Sequence, residues 1–216
     1  MRAPLTHVVR SPAEFRAAAA ELGYPDREIC MKPPVSKGSR GFRVLSASVD
    51  RRYALLEARP GPLPLSLDEA LEAIGETDFP ELLVMELASG PEHTVDGICA
   101  GGRMLLGHAK TREAMRAGLA MYFESCERPA LEESARTLCA ELRLDWFVNV
   151  QFIGDQLLEI NPRISTIVYQ EDLNLPWLAV RRALGELSAD ELAAYGPRVR
   201  TTRRALRYYD QVEYDD

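Results

Sequence analysis

Between Asn149 and Arg163, two short apolar runs, Asn149-Val150-Gln151-Phe152 and Leu157-Leu158-Glu159-Ile160-Asn161, flank a Gly154-Asp155 break. Polar residues at alternate positions around such a break predict two antiparallel strands joined by a tight turn. Alternation then puts Glu159 and Asn161 on one face of the sheet and Leu158 and Ile160 on the other. Taken singly, Gln151, Glu159 and Asn161 fit half-exposed strand polars. Together they must find partners, because each buried polar group left unsatisfied costs about 1–3 kcal/mol. Hard oxygen donors in a row suit Mg²⁺ shared with a substrate phosphate better than zinc. Arg163, two residues beyond Asn161, adds a guanidinium able to reach a phosphoryl oxygen.

Turn and site disagree about the register of this hairpin. Joint ligation requires Gln151 opposite Glu159 and Asn149 opposite Asn161, which leaves Gly154-Asp155-Gln156 as a three-residue loop. Gly-Asp alone favours a two-residue turn, which pairs Gln151 with Leu158 and turns Glu159 to the opposite face. The expectation is that the site prevails, through the longer loop or a bulge with the same effect.

At 216 residues the chain can bury one sizeable core or two smaller ones. Its 26 cations against 33 acids give a net charge of -7, which argues against a nucleic-acid partner bound through the phosphate backbone. No apolar run approaches the ~20 residues of a membrane span, and the first residues lack the apolar stretch of a signal peptide. No membrane partner and a cytoplasmic location are expected. Cys30, Cys99, Cys126 and Cys139 stand singly in apolar segments and read as reduced, buried thiols. Lysine occurs only at Lys32, Lys37 and Lys110 in a chain that otherwise uses arginine, which marks each as a place for a compact, flexible ammonium.

In chain order, Ser11-Pro12-Ala13-Glu14 starts a helix over 12–22 that stops at Gly23, and strands follow at Glu28 to Pro33 and Phe42 to Ser46. The connection Ser36-Lys37-Gly38-Ser39-Arg40-Gly41 has the composition of a phosphate cradle, although a solvated hairpin is the commoner explanation of such a loop taken alone; Lys32 just before it reaches the same place. Ser66-Leu67-Asp68-Glu69 caps a helix ending near Gly75, and Leu82 to Leu87 reads as a buried strand containing Glu86. Ala88-Ser89-Gly90-Pro91 marks a hinge. Glu92 opens the next strand with Asp96 two alternations on, and Arg103 to Thr111 pairs with it and ends in Lys110 and Arg112.

Met115 to Glu127 is expected to be a loop beside the site, and Pro129 starts a helix with Leu131, Ala135, Leu138, Cys139 and Leu142 in the core. Asn174 and Ser188 start two more helices. The cluster Arg198, Arg200, Arg203, Arg204 and Arg207 reads as a solvated helix face or an anion contact.

Lysine, glycine-serine loop, hinge glutamate and Gln…Glu-x-Asn-x-Arg in this order resemble the ATP-grasp superfamily, most closely the carbamoyl-phosphate synthetase large-subunit type and related carboxylate-amine ligases. The resemblance runs from about residue 4 to about residue 187. It implies an α+β fold of two lobes, 1–87 and 88–216, with ATP between them. It makes Lys32 and the 36–41 loop (Ser36, Lys37, Gly38, Ser39, Arg40, Gly41) phosphate contacts, Glu86 with Leu87 and Ala88 the adenine contact, and Glu92 the ribose acceptor. Gln151, Glu159 and Asn161 become Mg²⁺ ligands, with two ions expected and Mn²⁺ a substitute, and Arg163 holds the transferring phosphoryl group; Lys110 and Arg112, two cations at the open end of their strand, are further catalytic candidates.

The implied chemistry is phosphorylation of a small-molecule carboxylate by ATP, followed by attack of an amine. The family usually carries a preceding domain of roughly 100 residues. Here Met1 stands almost at the small lobe, so the resemblance implies one of three things: a companion chain or second copy supplies that part, the sequence is a fragment of a longer protein, or the site works differently. The alternatives are an ATP-grasp phosphotransferase and a nucleotide-binding module without turnover.

Overall fold

The computed structural model describes residues 2–36, 38–58, 63–116, 119–163, 173–200, 203–208 and 213, with the backbone alone at 115, 116 and 119. The chain divides into two compact units, Pro4–Ala88 and Met1–Ala3 with Ser89–Asp216.

The first unit contains β1 (Thr6–Val9), α1 (Pro12–Glu21), β2 (Ile29–Lys32), β3 (Arg43–Leu45), α2 (Arg51–Leu56), α3 (Leu67–Ile74) and β4 (Leu82–Glu86). Both predicted helix starts are built as their sequences dictate. Ser11 accepts from the Glu14 amide with Pro12 at the first turn, and Ser66 and Glu69 complete a reciprocal capping box. The strands form an antiparallel sheet in the order β1-β4-β2-β3.

Phe15, Ala18 and Ala19 of α1 and Leu67, Ala70 and Leu71 of α3 close one core with Val9, Ile29, Leu45 and Val84. Phe15 is fully buried, so Phe15→Ala should cost about 3–5 kcal/mol in a denaturant titration. A loss below about 1 kcal/mol would mean that the site collapses on the void. Neither β1 nor α2 is among the expected elements; α2 buries no residue and so carries no apolar stripe, although Asp50 caps it by accepting from the Tyr53 amide.

The second unit contains β5 (Glu92–Ala100), β6 (Arg103–Thr111), β7 (Glu113–Arg116), β8 (Leu119–Cys126), α4 (Pro129–Glu141), β9 (Trp146–Ile153), β10 (Gln156–Asn161), α5 (Leu175–Ala183), α6 (Ala189–Ala193), a 3₁₀ turn (Gly196–Arg198) and β11 (Arg204–Leu206). Its sheet runs β10-β9-β5-β6-β8-β11, with β7 against β8.

Two expectations fail here. The stretch expected as a loop from Met115 is largely strand, since β8 finds partners on both sides, Ser125 opposite Lys110 and Glu124 opposite Arg204. Non-local pairing, to which local composition is blind, makes the strand. At the end of the arginine-rich segment, Arg204–Leu206 is likewise strand rather than helix and supplies the outer partner of β8.

One face of the large sheet is covered by α4, whose Leu131, Ala135 and Cys139 pack on Val95, Ala109, Val148, Val150 and Phe152. Leu142, expected in that core, is the helix C-cap and is 54% exposed. The opposite face is apolar at one end, where Ile98 and Leu106 meet Leu175, Leu178 and Leu192 of α5 and α6. Its other end is polar.

The four cysteines are free thiols, three of them buried, with Cys126 partly covered. Burial holds the Cys30 thiol up at about 11, against the weaker pull of Lys32. Its thiolate fraction at neutral pH is therefore negligible. Iodoacetamide at pH 7.5 should label Cys126 ahead of the other three, and appreciable native-state labelling of Cys30 would contradict this packing. Among the described residues no helix is long and apolar enough to cross a membrane.

Candidate nucleotide and metal site

The turn between β9 and β10 has two residues, since Ile153 pairs with Gln156 and Phe152 with Leu157. Gly154 takes φ +58 at the first central position, as a type II′ hairpin turn requires, and its amide donates to the Pro91 carbonyl at 2.9 Å. The register then shifts between Leu157 and Glu159, so that Glu159 lies opposite Gln151 and Asn161 opposite Asn149. Turn preference and site are both satisfied, because a bulge at Leu158 absorbs the odd residue. The bulge also changes the core face of β10. Leu157 and Ile160, not Leu158 and Ile160, pack with the α4 core.

The ladders extend this pairing across the sheet. Lys110, Thr94, Gln151 and Glu159 stand in one row on β6, β5, β9 and β10; His108, Asp96, Asn149 and Asn161 stand in the next. Ser125 of β8 continues the first row beside Lys110. Strand alternation brings both rows to the same face.

The rows are tied by directed hydrogen bonds. Lys110 Nζ meets Asp96 Oδ2 in a buried ion pair, with side chains 1% and 7% exposed. Asn149 Nδ2 donates to Asp96 Oδ1 at 2.7 Å, and Gln151 Nε2 donates to Asn149 Oδ1 at 3.1 Å. On β10, Asn161 Nδ2 donates to Glu159 Oε1 at 2.8 Å, where Glu159 is exposed and Asn161 half-buried. Burial pushes the Lys110 ammonium below its ordinary range and Asp96 pulls it back. Burial likewise pushes His108 below its ordinary value, favouring the neutral imidazole. Thr94 Oγ1, His108 Nδ1 and Ser125 Oγ are buried with no hydrogen-bond partner among the described residues.

Other predicted positions sit as follows. Arg112, expected to point at the site, has a side chain only 9% exposed and forms an ion pair with Glu92, its Nε 2.7 Å from Oε1. Arg163 is exposed just past β10, its amide donating to the Asn161 carbonyl at 2.8 Å. In the first unit, Lys32 is half-buried at the end of β2. The connection that follows turns through Gly38, Ser39 and Gly41, all at positive φ. A Cβ on Gly41 would lie 2.6 Å from Pro33 Cδ, so that position requires glycine. Ser36, Gly38, Ser39 and Arg40 are exposed, and Lys37 lies outside the described residues. Glu86 Oε2 accepts from the Leu5 amide at 3.0 Å, and Leu87 and Ala88 are half-buried residues following β4.

The sequence model of the family described as "ATP-grasp in the biosynthetic pathway with Ter operon" matches residues 78–205, more than half of the chain. The chain belongs to the ATP-grasp family. Its fold is that of solved ATP-grasp structures at low identity. The ADP complex of an N5-carboxyaminoimidazole ribonucleotide synthetase is 15% identical with a TM-score of 0.52, covering 76% of this chain and 41% of that one. The ATP-grasp ligase PsnB with its minimal precursor is 15% identical with a TM-score of 0.51, covering 87% and 56%. The biotin carboxylase domain of Hydrogenobacter thermophilus 2-oxoglutarate carboxylase is 17% identical with a TM-score of 0.54, covering 85% and 42%. The chain thus spans about half the length of these structures, and what it shares with them is the α+β ATP-grasp fold.

Thr94, Asp96, His108 and Ser125 were not given a role by sequence, and Asn149 only a place in the hairpin register. The signal lay in the alternation of Glu92, Thr94 and Asp96 on one strand and His108 and Lys110 on the next. It gains meaning only when the ladder aligns the two strands.

Proposed function

We propose that this chain is an ATP- and Mg²⁺-dependent carboxylate-amine ligase, or the catalytic part of one, acting through an acyl phosphate. The observation that carries the reading is the register-corrected hairpin, which sets Glu159 opposite Gln151 and Asn161 opposite Asn149 beside the Lys110–Asp96 pair.

The donor set fits a hard divalent cation. The side-chain amides of Gln151 and Asn161 each donate an N–H to a neighbour, which orients their carbonyl oxygens as candidate ligands beside the Glu159 carboxylate. Gln151, Glu159 and Asn161 would hold Mg²⁺, with Mn²⁺ as a substitute. Bound there, the cation neutralises phosphate charge. The ADP complexes among the similar structures support the choice of nucleotide.

In this reading Lys32 and the 36–41 loop hold the ATP phosphates, Glu86 with the backbone of Leu87 and Ala88 holds adenine, and Glu92 accepts from the ribose. Arg112 fixes the Glu92 carboxylate through their ion pair. The substrate carboxylate attacks the γ-phosphorus, the bond to ADP breaks, and Arg163 balances the charge on the transferring group; Lys110, expected to share that task, is buried with its charge committed to Asp96. The amine then attacks the acyl carbon, expelling phosphate and losing a proton.

The test is ADP and phosphate release from Mg-ATP over panels of carboxylates and amines. Amine-dependent release of both products is expected. ADP without free phosphate would make the chain a phosphotransferase, and ATP binding without any turnover would make it a binding module. Mg-ATP should also slow hydrogen exchange at Gly38–Gly41, because anion loops with few internal contacts become ordered on their ligand. Unchanged exchange there would remove the loop from the site.

A further inference from the structure

The Lys110–Asp96–Asn149–Gln151 chain has a direction. An ionised carboxylate only accepts hydrogen bonds, whereas a carboxamide donates from one end and accepts at the other. Because Asp96 Oδ1 takes the Nδ2 of Asn149, the Oδ1 of Asn149 must face the other way, where it takes Gln151 Nε2. The carbonyl oxygen of Gln151 is thereby the end turned away from Asn149, on a residue whose ladder partner is Glu159. Both Asn149 and Gln151 are buried, so neither amide has bulk water to accommodate a flip. The second oxygen of Asp96 is held by Lys110, itself buried on the next strand. One carboxylate therefore fixes an ammonium on one side and the orientation of two amides on the other.

We propose that Asp96 is a positioning residue that, through Asn149, orients Gln151 so that it presents oxygen rather than N–H to a divalent cation. The inference rests on the reading of Gln151 and Glu159 as cation ligands. With asparagine at 96, the relay loses its fixed acceptor. Asn149 can then turn round, and Gln151 is free to offer its amino group where a cation needs oxygen.

The informative variant is the double substitution Asp96→Asn/Lys110→Met, which removes one charge of each sign, so the net charge near the row is unchanged. A change in cation affinity would then come from ligand orientation and not from Coulomb attraction. Mn²⁺ is titrated into the protein with ADP present and free Mn²⁺ is counted by electron paramagnetic resonance; metal-free ADP affinity is measured by calorimetry. The expected result is Mn²⁺ affinity lowered on the order of 10- to 100-fold, the usual cost of removing an outer partner of a metal ligand, with metal-free ADP affinity unchanged. Parental Mn²⁺ affinity in the folded double variant overturns the proposal, and so does an equal fall in ADP affinity, which a purely structural role would produce.

If the double variant does not fold, Asn149→Leu interrupts the relay while keeping the ion pair, and the same two outcomes apply to it. Glu159→Gln separates this inference from the reading beneath it. Parental Mn²⁺ binding in Glu159→Gln removes the metal site altogether. Loss in Glu159→Gln with parental binding in Asp96→Asn/Lys110→Met removes only the relay.

Discussion

Glu159→Gln is expected to lower Mg²⁺-dependent ATP turnover roughly a thousandfold while leaving the thermal midpoint within a few degrees of the parent. Charge stabilisation by a bound cation is worth several kcal/mol in the transition state, and each 1.36 kcal/mol is a factor of about ten in rate. Glutamine keeps the shape of the side chain and its acceptance of the Asn161 amide, so only the ligand charge is removed. Glu159 is exposed, which predicts little cost in stability. Steady-state ADP release with Mg²⁺ varied at fixed ATP is the measurement. Turnover at the parental rate would mean that Glu159 does not ligate the ion. Asn161→Leu should act in the same direction with a smaller loss, since a neutral oxygen is removed.

Lys110→Met is expected to destabilise the protein by about 3–5 kcal/mol, because it leaves the Asp96 carboxylate buried without its counter-charge. Adding Asp96→Asn should recover most of that loss. A buried pair exchanged as a unit for neutral groups is often close to neutral in stability, whereas half of it removed is not. The cycle of parent, two single variants and the double variant, followed by denaturant unfolding, measures the coupling directly. If the two single losses simply add, Lys110 and Asp96 do not form the buried pair described here.

How far the sequence could be read depended on the range of the interactions involved. Helix starts at Ser11, Ser66, Asn174 and Ser188 were legible because a cap is a contract between residues two or three positions apart, and all four side chains accept the predicted amide. The row of oxygen donors was legible in part, because alternation along one strand is local. Its partners Thr94, Asp96, His108 and Ser125 were not, because they join it across ladders whose register a single strand does not encode. The same limit explains β8 and β11, two segments of mixed composition that become strands by pairing with each other and with β6.

For this chain, the sequence by itself determined the element types with strong local signals, the conflict between a two-residue turn and a Glu159–Gln151 register, and the ATP-grasp likeness of the Gln…Glu-x-Asn-x-Arg series. Tertiary structure decided how the hairpin reconciles its two demands. A Gly-Asp turn and a Glu159–Gln151 pairing are incompatible in a regular ladder, and only packing on both faces, Leu157 and Ile160 against α4 and the polar row opposite, selects the bulge at Leu158 that permits both. Tertiary structure also decided what becomes of the cations. Lys110 and Arg112 look alike in sequence, as two positive residues at the end of a strand. The fold buries one against Asp96 within the oxygen row and holds the other against Glu92, because partner and burial are properties of where neighbouring strands bring their side chains.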